Sequence, residues 1–260
     1  GRFLRPPDRE DDYTAFTPNF GFVFEATDLH TLFGRVVRGV RAPQAAELYR
    51  LQPGQVIDGI EPEELDSIEL GWRGQAGIAT FELVAFAMEK RNVFFRDADG
   101  FNVTDGKTRH RGVEAELQAD LTETLTLTVS ATLADHEYAF DRPVSRGSET
   151  IRSGAQVDTA PQTLANARLL WTPAPAFTAE AELMHVGEYF ANAANTAEYE
   201  GHDIANLRAR WRFSDGAEAF AAVRNVFDER YAERADFAFG SYRYFPGEPR
   251  AVSVGVRLSR

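Results

Sequence analysis

"TLTLTVSATL", residues 124–133, sorts its side chains into two unlike sets with period two. Leu125, Leu127, Val129, Ala131 and Leu133 fall on one face; Thr124, Thr126, Thr128, Ser130 and Thr132 fall on the other. Successive strand residues point to opposite sides, whereas a helix would mix these sets every few residues. The stretch is therefore read as a strand with one apolar and one polar face. The same alternation runs upstream through Val113, Ala115, Leu117 and Ala119 against Glu114, Glu116, Gln118 and Asp120. It returns near the end, with Val252, Val254, Val256 and Leu258 against Ser253, Gly255 and Arg257.

Extended outward, the pattern predicts about eleven strands. They lie near 16–26, 29–38, 66–73, 77–90, 107–119, 124–138, 160–171, 176–188, 203–213, 217–225 and 249–258. Helical periodicity is confined to "APQAAELYRLQPG", where Pro43 and the Pro53-Gly54 stop frame a turn or two of helix inside a loop. Short connections are read at 27–28, 74–76, 121–124, 172–176 and 214–217, and long ones at 39–65, 91–106, 139–159, 189–202 and 226–248. Strict alternation of tight turns and long loops is the layout of an outer-membrane barrel. The predicted fold class is all-β: part of an antiparallel transmembrane β-barrel of about eleven strands, with short periplasmic turns and long extracellular loops.

The totals narrow the alternatives. The chain has 260 residues, and no stretch approaches the ~18 apolar residues of a membrane helix. A net charge of −12 argues against a nucleic-acid partner. The absence of cysteine removes disulfide frameworks and thiolate metal sites. Trp72, Trp171 and Trp211 each share a face with apolar neighbours close to a short turn, where an aromatic girdle meets the inner lipid boundary. The alternative reading makes them core residues of a soluble barrel. On the opposite face stand Glu69, Arg73, Glu180, Glu182, Arg208, Arg210 and Arg212, as on a water-filled wall.

Four stretches resemble the C-terminal half of TonB-dependent outer-membrane receptors. "GRVVRGVRAPQAAELYRLQ" is similar to a strand and loop reading SxGFRAPxxxELY in that family, and "EPEELDSIELGWRG" to the following PExxxSxELG strand. "YEGHDIANLRARWRF" resembles the GYxxxNLRxxY strand. "VRNVFDERYAERADFAFGSYRYFPGEPRAVSVGVRL" resembles the closing signature, an Asn-(Leu/Ile/Val)-Phe-(Asp/Asn)-x-x-Tyr element that leads to a Pro-Gly-x-Pro-Arg turn and a last strand. Here "NVFDERY" is read as structural: Asn225 to Tyr231 anchor a strand exit, and Ala232 to Phe245 form an extracellular loop.

The resemblance implies a Gram-negative outer-membrane receptor that imports a ligand by TonB-coupled energy, through a 22-stranded barrel with a plugged lumen. The chain is then expected to be the C-terminal part of the barrel, residues 1–260, with the plug, the motor-contact segment and the first strands having no counterpart in it. Residue 1 is expected outside the cell and residue 260 in the periplasm. The family usually closes on an aromatic residue, whereas this chain stops at Leu258-Ser259-Arg260. Implied partners are an iron chelate such as a ferric siderophore, outer-membrane lipid, the TonB complex acting through a missing N-terminal region, and the barrel assembly machinery; no cofactor is implied. Alone, such a half sheet is expected to aggregate in water.

Tyr49, Phe95, Arg96, Arg109, Arg111, Tyr189, Tyr242 and Tyr244, with Arg208 and Arg210 on the wall, are the candidate ligand residues, because aromatic faces and guanidinium groups suit an anionic aromatic chelate. The competing reading puts many loop aromatics in an outer girdle. His30, His110, His136, His185 and His202 lack metal-site spacing, and Arg41 to Leu65 holds no histidine, which lowers a haem ligand. Three other readings stay open: a passive porin or adhesion barrel, uptake of a non-iron nutrient (cobalamin, a glycan), and a soluble β enzyme using Glu180 and Glu182, which share a face about 7 Å apart.

Overall fold

The computed structural model describes residues 10–49, 55, 60–96, 101–144 and 149–258, with Arg96 described in its backbone only. In chain order the elements are β1 (Asn19–Thr27), β2 (His30–Arg41), α1 (Ala45–Tyr49), β3 (Glu63–Ala76), β4 (Ala79–Arg96), β5 (Asn102–Thr122) and β6 (Leu125–Tyr138). They continue with β7 (Arg142–Val144), β8 (Glu149–Ile151), β9 (Thr163–Ala174), β10 (Phe177–Val186), β11 (Tyr189–Phe190) and β12 (Glu198–Tyr199). The last are β13 (His202–Ser214), β14 (Ala217–Arg224), β15 (Ala232–Ala238), β16 (Ser241–Pro246) and β17 (Ala251–Leu258).

Eleven of these strands make one sheet in the order β1-β2-β3-β4-β5-β6-β9-β10-β13-β14-β17. Each strand pairs antiparallel with its predecessor in that order, so the sheet is a meander without crossovers. The eleven predicted strands are these eleven. Within the described residues the sheet is open, with β1 and β17 at its edges. The remaining six strands form three small hairpins, β7-β8, β11-β12 and β15-β16, all inside long loops. The expected helical turn is α1.

The turns sit slightly later than expected. The "GQA" stretch lies inside β3, where Gly74, Gln75 and Ala76 pair with Phe81, Thr80 and Ala79. The chain reverses instead at Gly77-Ile78, because Gly77 takes a φ of 59° that costs glycine little. The other short connections are likewise two residues long: Asp28-Leu29, Glu123-Thr124, Pro175-Ala176 and Asp215-Gly216. The strands are also longer at the other end. β4 has 18 residues and β5 has 21. Even tilted by ~40°, 21 residues at ~3.4 Å rise about 55 Å, twice the ~25 Å apolar band of a barrel. These strands therefore extend well past any bilayer on the long-loop side.

The sheet inverts the usual distribution of burial. Leu70, Trp72, Val113, Leu183, Leu207, Trp211, Val254 and Val256 are all exposed on its apolar face. On β5 this face runs from Leu121 to Val113, about 21 Å at the same tilt, and then changes to Arg111 and Arg109. The few buried apolar residues sit mainly in the long loops, around Tyr189, Ala232 and Ala235 with Tyr199 against them.

Close approach of neighbouring strands is secured by aromatic rings laid over glycines. Phe33 faces Gly71, Phe86 faces Gly112 and Phe220 faces Gly255, all on the polar face. At Gly71 an added Cβ would lie 2.0 Å from the Phe33 ring, so the ring occupies the place of a side chain.

Candidate functional site

Two regions carry the polar chemistry: the wall of the sheet and the platform of loops at its far end. On the wall, alternation sends Glu180 and Glu182 of β10 and Arg208 and Arg210 of β13 to the polar face. Arg208 bridges both carboxylates, by a short contact to Glu180 and at 2.8 Å to Glu182. Glu182 also accepts from Asn166 Nδ2 at 3.2 Å and Asn206 Nδ2 at 3.0 Å. Both acids are thus held as ion-pair partners, an arrangement suited to a structural wall; a glycosidase pair needs one acid free to donate a proton. Arg210 lines an open groove of about 390 Å³ with Thr178, Glu218, Phe220 and Arg257. Among the described residues, Arg168 and Arg210 have no carboxylate within salt-bridge distance.

The long loops fasten to one another. Asn195 reaches the loop before β9 with a two-way amide clasp, donating from Nδ2 to the Gln156 carbonyl at 2.9 Å while its Oδ1 accepts from the Gln156 N–H at 2.7 Å. Asn192, buried, closes its own loop by accepting from Thr196 and Ala197. Tyr189 accepts from the Ala235 N–H at 2.7 Å, and Tyr242 accepts from the Glu198 N–H at 3.1 Å, tying β15-β16 to β11-β12. At the first loops, Gln55 and Asn102 exchange hydrogen bonds at 2.9 and 3.2 Å, and Asn102 donates to the Glu47 carbonyl at 3.0 Å. Buried backbone groups find partners through these amides because loops lack a ladder of their own.

Charge anchors the loop bases. Glu63, nearly buried, accepts from Arg41 and Lys90 at 2.9 and 2.8 Å and from the Phe94 N–H at 3.1 Å. Burial alone would raise its carboxyl, but the hydrogen bonds outweigh it and hold it at about 2. On β15, the Arg234 hydrogen bond, acting against burial and joined by Arg243, holds the Asp236 carboxyl below its usual range.

The structure brings some expected ligand residues together and separates others. Tyr242 and Tyr244 stack, ring planes 5° apart and centroids 5.7 Å apart, and both rings are exposed on β16. Arg208 and Arg210 share the wall. Tyr189, only 5% exposed, is a packing residue of the platform. Phe95 packs on Phe140 at 5.2 Å with the Arg142 guanidinium 5.6 Å from its ring. Tyr49 ends α1 and is exposed. Arg96 pairs in the ladder with Asn102, and its side chain is outside the described residues.

Arg109 and Arg111 project from the same face as Val113 and Ala115, away from the polar wall, and are tied to Glu89 and to Asp135 and Glu137. Trp72, Trp171 and Trp211 are exposed on the apolar face near the short turns, with Trp72 edge-on to Phe81 at 4.7 Å.

Two features escaped the sequence. The loop clasps join residues far apart in the chain and left no local pattern. His110 and His136, by contrast, face each other across the turn after β5 because the ladder shifts register by one residue between Asp120 and Thr122. Reflecting residue numbers about Glu123-Thr124 would have set His110 against Glu137, so the pair rests on that irregularity of the ladder. Among the described residues no group of three or more His, Asp or Glu side chains is arranged to hold a metal ion.

The chain matches the family described as TonB dependent receptor-like, beta-barrel over residues 2–226. It is 27% identical over 271 aligned residues to the metal-pseudopaline receptor of Pseudomonas aeruginosa, covering 100% of this chain and 35% of that protein. The siderophore receptor PiuA from Acinetobacter baumannii superposes with a TM-score of 0.76 at 17% identity, over 92% of this chain and 35% of that one. The ferripyoverdine receptor of the outer membrane of Pseudomonas aeruginosa gives 0.73 at 22%, over 98% and 34%. The chain thus spans about a third of the length of these relatives. The alternating faces, the beat of turns and loops, and this match over most of the chain agree: the chain belongs to the TonB-dependent receptor family, whose members are transport receptors of the Gram-negative outer membrane.

Proposed function

We propose that this chain is the C-terminal part of the barrel of an outer-membrane receptor for TonB-coupled uptake of an anionic metal chelate, a ferric siderophore first. The observation that carries the reading is the exposed parallel stack of Tyr242 and Tyr244 on the loop platform. Flat aromatic surface at a fixed spacing suits a planar chelating group, and the carboxylate-free Arg168 and Arg210 on the wall below suit its negative charge. Ligand contact is assigned to Tyr242, Tyr244, Arg168 and Arg210. The apolar face with Trp72, Trp171 and Trp211 meets outer-membrane lipid. The remaining barrel strands, the plug and the TonB contact are supplied from outside residues 1–260, and insertion is left to the barrel assembly machinery.

The names of the relatives favour metal chelates over cobalamin or glycans, and the metal-pseudopaline receptor makes a non-iron chelate the second reading. The test is growth of a receptor-deficient strain, complemented with the full-length protein, on single ferric siderophores as the iron source. Rescue by at least one, dependent on TonB and weakened by Tyr242→Ala with Tyr244→Ala, supports the proposal. Rescue only by zinc, nickel or cobalt chelates moves the cargo away from iron. Ion conduction in a planar bilayer with no chelate binding would replace the receptor by a passive pore.

A further inference from the structure

His110 and His136 lie directly opposite each other on β5 and β6, on the polar face and beyond the apolar band that ends at Val113. Their Nδ1 atoms are 2.8 Å apart, and the rings, centroids 5.0 Å apart, are inclined by 57°. Two imidazoles hold such a contact when one Nδ1 carries a proton and the other offers a lone pair. Burial pushes both rings below the ordinary histidine range.

The pair is one tautomer shift from a chelate. If the bridging proton sits on Nε2 of its own ring, two Nδ1 lone pairs converge on one point with no change in net charge. Thr108 Oγ1 stands 2.9 Å from His110 Nε2, where it accepts that N–H and orients the ring, the usual outer-shell role beside a metal-bound imidazole. A cation bound at ~2.0–2.1 Å from each nitrogen at a tetrahedral angle needs them about 3.3 Å apart, so small ring rotations make room.

A third donor stands in the same row. Met88 is directly opposite His110 on β4. Side chains so placed have Cβ atoms ~4.5–5.5 Å apart, within reach of a flexible thioether. Of the nearby acids, Glu89, Asp135 and Glu137 belong to the other face, where they pair with Lys107, Arg109 and Arg111, and Asp158, beside the row on the polar face, is taken up by the Tyr138 hydroxyl. The row therefore offers two imidazoles and a thioether without carboxylate oxygen. Soft sulfur with imidazole selects copper(I) over calcium, magnesium or manganese.

We propose that Met88, His110 and His136 form a copper(I) site in the wall of the receptor, at the long-loop end of the sheet. The site goes beyond chelate uptake, since a bare ion held by wall side chains requires no siderophore, and it stands or falls separately from the cargo.

The test is anaerobic titration of the full-length receptor in detergent with copper(I), in competition with a chromophoric chelator, together with X-ray absorption at the copper edge. One bound equivalent with two nitrogen scatterers and one sulfur is expected. His110→Asn and His136→Asn should each weaken binding on the order of 100-fold, and Met88→Leu, which keeps side-chain volume, on the order of tenfold with loss of the sulfur signal. His185→Asn, on the apolar-face side beside Asp203, should bind as wild type. Absence of binding by the wild type, or binding unchanged in His110→Asn and His136→Asn, overturns the site; a sulfur signal surviving Met88→Leu removes Met88 from it.

Discussion

Replacing Asn225 with alanine should release the final loop from the wall. Asn225 is 2% exposed with φ of 49°. Its Oδ1 accepts from the Glu229 N–H at 2.8 Å, and its Nδ2 donates to the carbonyls of Glu229 and Glu248 at 2.9 and 3.0 Å. One side chain thus joins the exit of β14 to the entry of β17, on either side of the β15-β16 hairpin. Alanine removes three part-buried hydrogen bonds at about 1 kcal/mol each. It also leaves a Cβ in the left-handed region without a side-chain amide to compensate, about 1 kcal/mol more. The expected loss is about 4 kcal/mol. Glycine relieves the backbone but not the bonds, so Asn225→Gly should lose about 3 kcal/mol. The assay is urea unfolding of the full-length receptor in micelles, with hydrogen exchange across Ala232–Pro246 as the local readout. Asn225→Ala within ~0.5 kcal/mol of wild type would refute the hub. Equal losses for alanine and glycine would refute the backbone share alone.

Three further outcomes follow from the geometry. Gly71→Ala should lower folded yield because its Cβ meets the Phe33 ring at 2.0 Å, and Phe33→Leu should restore part of it; an unchanged yield would mean that the ring moves freely. Because the Glu63 carboxyl is held at about 2, below its unfolded value near ~4.3, its roughly 3 kcal/mol is present above that value and lost as pH falls toward 2. Exchange protection of the Phe94 N–H should fall across that window, and Glu63→Gln should flatten the profile. Leu207→Arg, on the apolar face, should cost about 2–4 kcal/mol of folding into lipid vesicles while Arg210→Leu, on the wall, costs less than about 1 kcal/mol; the reverse order would assign the faces wrongly.

Strand number, order and faces were legible because side-chain alternation is a local property. Residues 124–133 declare both faces of β6 without reference to any partner. The face of Arg109 and Arg111 was legible too, since both alternate in step with Val113 and Ala115; their charge drew attention to a ligand ahead of their parity. The placement of the three tryptophans on the exposed apolar face near the short turns follows from the same alternation.

What the sequence by itself determined is a meander of two-faced strands, and a family whose motifs lie at strand ends and turns. Tertiary structure decided everything that depends on register and on contacts between loops. Gly77 and not Gly74 makes a turn because the ladder continues to Ala76. Asn195 meets Gln156, Tyr242 meets Glu198, and His110 meets His136 only once neighbouring strands are aligned. Such contacts join residues distant in the chain, and their energy comes from satisfying buried polar groups across that distance, which local periodicity does not encode.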